Sequence, residues 1–594
     1  MVYRLMQEST TPLYRYVLRY RRSAALGFFS VASAIALTMY LPQVLGAIID
    51  GLKSGELSEP ELMRLIGKLL IVSLLGSLFS IFMRRILLGL AQRVEFDIRR
   101  DVFAHLTRMD HGFFQRERTG DIMTKMSSDL FSVKDMVGQG LLQGSRIVIG
   151  FPVAFGIMFT LNHELALIVM GIIPVISIVF FILIRMIRSR YDAVQDQFSN
   201  ISNFCQENFG GFRTVKGFGI EERMKDRFRE LNDIYIQRTM KLTRVEEPVW
   251  PFMVFMFAVG TLLLLLAGGR RVIEGELSLG DFVKFNQYLL ILQWPMLALG
   301  WTSNLFQRGI ASWKRIRTII DARPDIRDGA HTDPQLRLVE GDIHLREVSY
   351  TANERKLLSD VTLSIPSGQV LGITGPTGSG KTLLISLLCR LIDPTSGRIT
   401  IGEHDIRSFP LAVLRQQIGL APQEAFLFSD TLANNIALGL NGDTTTSMPH
   451  EERVAWAAGV AHLSDDVERF PEKFSTMLGE RGVTLSGGQR QRTAISRALA
   501  LEPRVLILDD VFSAVDTQTE AKILGQLLPV LRQRTAILVS HRVSTLKHAD
   551  RIIVMEDGKI AQDGTHASLI AVPGYYREQD EMQRLEARLE GDAP

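Results

Sequence analysis

Gly375-Pro-Thr-Gly-Ser-Gly-Lys-Thr382 fits the pattern G-x-x-x-x-G-K-[ST] and follows an apolar run, Val370-Leu-Gly-Ile-Thr374. Strand, glycine loop and helix are the order in which such a loop can hold phosphate. The helix expected from Lys381 to Leu391 opens with unpaired backbone N–H groups and the positive end of its dipole aimed into the loop. Gly375, Gly378 and Gly380 permit the bend that brings amides onto phosphate oxygens, and Pro376, Thr377 and Ser379 complete the loop. Lys381 is expected to reach the β- and γ-phosphates as a point charge, and the Thr382 hydroxyl to ligate Mg²⁺. Further along, Val505-Leu-Ile-Leu-Asp509 is an apolar run ending in a carboxylate, the companion element that would hold Mg²⁺ through Asp509. Taken singly, the loop pattern recurs by chance and a buried strand can end in Asp. The two together point to nucleotide binding.

These residues need a scaffold, and 594 residues exceed one core, which suggests roughly three to four domain-sized units. The long apolar runs lie almost entirely between residues 24 and 306, and the C-terminal part reads as an ordinary α/β sequence. A formal charge of +3 on such a length says nothing about nucleic acid, and without a concentrated basic block of the kind DNA binders show no nucleic-acid partner is expected. Cys205 and Cys389 alone provide neither a disulfide framework nor a cysteine zinc site. The first residues carry Arg4, Arg15, Arg19, Arg21 and Arg22 without the small-residue exit of a cleaved signal, as in a retained cytosolic segment.

Six apolar segments follow: Ala24 to Val44, Leu69 to Met83, Ile147 to Leu161, Leu165 to Ile184, Val249 to Gly269 and Phe285 to Phe306. The first is uncharged and about long enough to cross ~30 Å of hydrocarbon. The second is short, but Lys68, Arg84 and Arg85 can snorkel to the interface. Buried helices of a large soluble protein would show the same spacing, yet six such runs in sequence favour membrane spans. The connections at 50–61, with Lys53 as the lone cation and an acidic excess, and at 162–164, only Asn-His-Glu, read as external. Those at 84–134 and 185–244 each carry about ten or more Arg and Lys, which places them and both termini on the cytoplasmic side. Their helical periodicity predicts helices that continue beyond the bilayer and turn back near Gly112-Phe-Phe-Gln-Arg116 and Gly210-Gly-Phe-Arg-Thr214. The aromatic tips suit docking of a soluble domain, or are hairpin turns with Phe packed at home. Gln143, Arg146, Asn286, Gln287 and Gln293 should face a cavity or neighbouring helices, with interhelical hydrogen bonding as fair a reading as a substrate contact. Pro251 and Pro295 are expected to kink their helices.

A polar stretch from Ala322 to Leu338 reads as a linker, and alternation over Ile343 to Tyr350 and Val361 to Ile365 predicts strands. Either Tyr350 stacks on an adenine ring, or Ala352 occupies that position and Tyr350 is a plain strand aromatic.

Between the phosphate loop and Asp509 stands Leu485-Ser-Gly-Gly-Gln489, followed by Arg490-Gln-Arg492. With these motifs the chain resembles the ATP-binding cassette (ABC) transporters, of the exporter type in which six membrane helices precede one cassette. The resemblance covers nearly the whole chain. It implies a multidomain fold: an all-α transmembrane domain of six long helices (the type IV exporter arrangement), then an α/β P-loop nucleotide-binding domain with a helical subdomain. The boundaries become 1–23 for the N-terminal segment, 24–310 membrane domain, 311–340 linker, 341–578 nucleotide-binding domain and 579–594 polar tail. It also implies that Leu485, Ser486, Gly487, Gly488 and Gln489 close over ATP held by the phosphate loop of a second cassette. Gln423, in Ala421-Pro-Gln-Glu424, resembles the glutamine that touches Mg²⁺ and senses the membrane part; His541 resembles the histidine on the γ-phosphate. Ser513-Ala-Val-Asp516 resembles the loop crossing the dimer contact, and Gly479-Glu-Arg-Gly482 the segment facing the partner's helical loops.

One residue departs from the family pattern. Where a glutamate usually polarises the attacking water, this chain has Asp510, one methylene shorter. The expectation is ATP binding with slow hydrolysis at this site and an intact signature serving the other. That suits one half of a heterodimer whose partner keeps the glutamate and has an altered signature, as in the asymmetric bacterial exporters, including the TmrB-like and MdlA-like half-transporters. A homodimer with two slow sites is the alternative. The implied activity is ATP-driven export of a hydrophobic or amphipathic small molecule, lipid or peptide across the cytoplasmic membrane. An exporter-fold siderophore importer and a membrane-anchored regulatory ATPase remain open.

Overall fold

A computed structural model describes residues 12–55, 57–352, 354–440, 449–479, 482 and 484–591. Arg4, Glu480 and Arg481 of the segments singled out above lie outside the described residues. The chain divides into two compact units, one of residues 1–107 with 118–322, the other of residues 108–117 with 323–594.

The first unit is built from long helices: α1 Arg21–Ser54, α2 Glu59–Leu106, α3 Thr119–Leu161, α4 His163–Gly210, α5 Glu221–Ile273 and α6 Leu279–Ile320. Among the described residues α1, α2, α3 and α5 are long and apolar enough to cross a membrane. The fourth and sixth apolar segments lie within α4 and α6. Each helix outruns its apolar stretch. The chain reverses through the short helices His111–Arg116 and Phe212–Phe218, where the periodicity of the basic connections breaks. Along α3, π-helical turns at Lys125–Asp129, Met136–Gly140 and Arg146–Gly150 interrupt the regular helix.

Large apolar side chains such as Leu70, Leu74, Ile81 and Leu266 point outward, as on a surface solvated by lipid rather than water. The inward stripe joins Val31 and Ile35 of α1, Met83 and Leu87 of α2, Met158 of α3 and Phe285 of α6. Polar ties fix the helices at the ends and midway. Asp50 of α1 accepts from the Ser278 hydroxyl and from the Gly280 N–H at 2.6 Å, capping α6. Tyr288 of α6, fully buried, donates to the Met39 carbonyl at 2.7 Å and accepts from Gln43 at 3.0 Å. Buried Asp129 of α3 accepts from Ser312 and Arg315 of α6.

α5 is interrupted by a turn at 247–248, and Pro251 sits in the first turn of the segment Val249–Ile273 that follows. Pro295 lies inside α6, as Pro42 lies inside α1. One expectation needs correction. The boundary expected at 310 falls inside α6, which continues to Ile320.

The second unit contains β1 Ile343–Ala352, β2 Arg355–Ile365, β3 Val370–Thr374, β4 Ser396–Ile401, β5 His404–Asp405, β6 Ile418–Ala421, β7 Val505–Asp509, β8 Thr535–Val539, β9 Arg551–Glu556 and β10 Lys559–Gly564. A four-stranded antiparallel sheet has the order β2-β1-β4-β5. A six-stranded sheet has the order β10-β9-β3-β8-β7-β6, parallel except at β10. The continuous apolar runs of β7 and β8 follow from cover on both faces. Val505, Ile507, Ile537 and Val539 join one core with the antiparallel sheet and α7 Lys381–Leu388. The alternate residues Leu506, Leu508, Ala536 and Leu538 join another with α8 His450–Val460, α9 Gly487–Ala500, α10 Thr517–Leu531 and α11 Tyr575–Gly591. The polar residues expected as a tail from 579 onward continue α11 to Gly591.

Tyr288→Phe removes the hydroxyl shared by Met39 and Gln43 while keeping the ring. The detergent-solubilised protein is expected to lose roughly 1 kcal/mol of stability, read as a lower midpoint of thermal unfolding.

Candidate functional site

The strand order decides which motifs meet. In the run β3-β8-β7-β6 all neighbours are parallel, with Ile373 opposite Val539, Asp509 opposite Val539 and Ala421 opposite Leu508. Their C-terminal ends therefore lie along one edge, where ligand sites of parallel sheets form. From that edge emerge the loop 375–380 after β3, Ser540–His541 after β8, Asp509–Asp510 at the end of β7 and Gln423 after β6.

The loop has the backbone that its glycines allow. Gly375 stands at φ 140°, and a Cβ there would lie 2.0 Å from the Met555 carbonyl oxygen. Gly378 and Gly380 also take positive φ, and Gly380 leads directly into α7. Pro376, Thr377 and Gly378 are exposed, whereas Ser379 is buried. Lys381 is buried, and its Nζ donates to the carbonyls of Gly375 at 2.8 Å and Pro376 at 2.9 Å. Burial pushes its pKa down.

Asp509 is buried and accepts from the exposed Thr382 hydroxyl. Burial first, then the neighbouring Asp510 charge, raises its carboxyl above the usual range. Asp510 takes a left-handed φ of 48°, a conformation that Asp tolerates better than most residues. Its Oδ2 accepts from Gln423 at 3.4 Å and the carboxylate also accepts from the His541 backbone N–H; burial raises its pKa too. Burial lowers the pKa of His541, and the Lys381 charge adds to that effect. A cation, two carboxylates and an imidazole thus converge beside a ring of backbone amides. This donor set suits a polyphosphate and a hard cation. The described residues contain no cluster of three or more His, Cys, Asp or Glu to cage a metal, and Mg²⁺ needs none when phosphate and water complete its shell.

The signature residues stand elsewhere. Ser486 caps α9, accepting from the Gln489 N–H at 3.2 Å, while Gln489 accepts from the Ser486 N–H and donates to Asp466. Leu485 is buried under them, and Gly487 and Gly488 lie against Ala514. Among the described residues no hydrogen bond joins 485–489 to the loop 375–380. Tyr350 is half-buried against the β-sheet core opposite Leu358, and Ala352 ends β1 beside Arg355.

Sequence reasoning passed over several polar residues that organise the site. Buried Gln491 donates to Ser513 at 3.0 Å and accepts from the Ala514 N–H at 3.1 Å, with the Gln423 carbonyl 3.5 Å from its Nε2. Its position two residues past the signature, on the inward face of α9, was the available signal. Buried Glu520 and half-buried Gln583 hold the segment after β8 and belong to no motif.

Residues 24–296 match the family model of the ABC transporter transmembrane region, and residues 358–513 that of the ABC transporter. The chain is 34% identical to the multidrug resistance-like ATP-binding protein MdlA of Escherichia coli (strain K12), over 96% of this chain and 95% of that one. It is 34% identical to the probable multidrug resistance ABC transporter ATP-binding/permease protein YheI of Bacillus subtilis (strain 168), over 97% of both. It is 33% identical to the ATP-dependent lipid A-core flippase of Desulfotalea psychrophila, over 84% of this chain and 85% of that one. A solved bacterial Atm1-family ABC exporter with ATP bound superposes with a TM-score of 0.76 at 25% identity, covering 95% of this chain and 98% of that chain.

The raised carboxyls carry a sign that can be measured. Between the ordinary carboxylate range and the raised folded value, the folded protein keeps a proton that the unfolded chain has released, so stability falls as pH rises through that window. Asp509→Asn removes this loss at one position. The ligand-free variant is expected to melt above the parent at neutral pH, to converge with it below about pH 4, and to gain little from Mg-ATP.

Proposed function

The chain belongs to the ABC transporters, as an exporter half with one transmembrane and one nucleotide-binding domain and an ATPase coupled to transport, and on that premise we propose that it pairs with a different half-transporter to export a hydrophobic or amphipathic compound across the cytoplasmic membrane. The observation that carries the heterodimer is the single chain's own asymmetry. Its signature is complete and well capped, while the water-activating position holds the short Asp510.

In this reading Lys381 and the amides of 375–380 hold the β- and γ-phosphates, with Tyr350 at the adenine. Asp509, Thr382 and Gln423 hold Mg²⁺, which when bound offsets phosphate charge. His541 contacts the γ-phosphate from β8. Asp510 orients the attacking water through one carboxylate oxygen, but from about an ångström too far back, and misplacement on that scale costs about 10²-fold in rate. Leu485 to Gln489 present the N-terminal dipole and amides of α9 to ATP on the partner. The names of the relatives, multidrug resistance-like proteins and a lipid flippase, support an apolar or amphipathic cargo.

Movement reaches the membrane helices through the chain itself. His111–Arg116 lies between α2 and α3 in sequence, yet packs within the nucleotide-binding unit. Asp110 accepts from the Phe113 N–H at 2.8 Å and from the backbone N–H groups of Asp325 and Ile326. Displacing this unit on ATP closure therefore pulls on both helices by covalent connection.

Two measurements test these points. With the partner's own water-activating glutamate replaced by glutamine to silence its site, Asp510→Glu should raise steady-state phosphate release by the purified pair by about 10- to 100-fold; an unchanged rate in a folded complex would remove side-chain reach as the cause. In inverted membrane vesicles, ATP should drive uptake of an amphipathic fluorescent dye. Uptake only into right-side-out vesicles would favour an importer, and hydrolysis without movement a regulatory ATPase. A native mass of twice this chain would favour the homodimer.

A further inference from the structure

We propose that Gln583, on the C-terminal helix α11, is a positioning residue for His541. The inference rests on the reading of His541 as the γ-phosphate contact.

The Gln583 amide spans the backbone on both sides of Arg542. Its Nε2 donates to the His541 carbonyl at 2.7 Å, and its Oε1 accepts from the Val543 N–H at 2.8 Å. β8 ends at Val539, so the sheet gives these two groups no partner. Buried Glu520 of α10 accepts from Arg542, from Ser544 at 3.1 Å and from Thr545 at 2.5 Å. The segment after β8 is thereby gripped between two helices, and the grip on His541 itself comes from α11.

Among the described residues no hydrogen bond holds the His541 ring. The aim of the imidazole depends on its backbone, and Gln583 fixes the carbonyl end of that peptide. The helix that carries Gln583 is itself anchored. Tyr576 is fully buried with its hydroxyl 2.8 Å from His566 Nδ1, and Asp580, one turn further on, is buried as well. A glutamine far outside every nucleotide motif in sequence thus sets where the γ-phosphate side chain points.

The test uses the full chain, purified in lipid with its natural partner, in which the partner's water-activating glutamate is replaced by glutamine so that the turnover measured is that of the site formed by this chain's phosphate loop. Gln583→Ala removes both hydrogen bonds. Gln583→Glu keeps an acceptor for the Val543 N–H and sets a carboxylate oxygen against the His541 carbonyl, breaking only that contact. Both variants are expected to lower kcat for ATP hydrolysis about 10-fold, with KM for Mg-ATP and binding of a fluorescent ATP analogue within about twofold of the parent. A kcat within twofold of the parent in Gln583→Glu, or a loss of kcat that only tracks a matching loss of ATP binding, overturns the proposal. His541→Ala separates this failure from that of the underlying reading. If His541→Ala is slow while Gln583→Glu is normal, only the role of Gln583 falls; if His541→Ala turns over like the parent, the role of His541 fails first.

Discussion

The nucleotide site depends on charge kept out of water at the edge of a parallel sheet. Lys381, Asp509, Asp510 and His541 are each at least partly buried, and burial acts on each against its charged form. In water such groups would be solvated separately; here sheet, loop and helix hold them together, which is the preorganisation that the proposed binding of a polyphosphate and its cation calls for. The carbonyls that receive Lys381 in the meantime belong to Gly375 and Pro376 of the same loop. Phosphate oxygens can replace them with little rearrangement. The energetic conflict stored in two neighbouring carboxyls is of the kind that ligand binding relieves.

That conflict explains how the surrounding polar network is arranged. Gln423 and the His541 backbone both donate to Asp510, so the elements following β6 and β8 share one acceptor. Gln491 links the Gln423 loop to Ser513 and Ala514, and Glu520 with Gln583 fix the segment after β8. Few of these contacts are between motif residues alone. In the proposed reading the motifs supply the atoms that meet nucleotide, and residues between motifs supply the rigidity.

The membrane unit solves a different problem with different means. Its outward apolar side chains gain nothing from one another in lipid, so polar ties and close approaches set the helix packing. Asp50 at the head of α6, Tyr288 against Met39 and Asp129 with Arg315 are such ties, at successive levels of α1, α3 and α6. Gly46 and Gly280 mark a close approach, since a Cβ at Gly280 would lie 2.3 Å from the Gly46 carbonyl oxygen.

Much of this was legible in the residue order. The loop at 375–382, the apolar run ending at Asp509, the signature at 485–489 and the uncharged segment after Ala24 are local patterns, and local patterns survive in one dimension because a single strand, loop or helix produces each. The reversals near residues 112 and 212 were readable for the same reason. What the sequence could not state is adjacency. That β8 lies between β3 and β7, bringing His541 to Asp510, is a property of strand order, and strand order is fixed by packing across the sheet. The helix at 575–591 and the two hydrogen bonds of Gln583 were likewise invisible, because a polar glutamine in a polar stretch looks like solvent-facing helix until its partners, about forty residues away, are placed beside it.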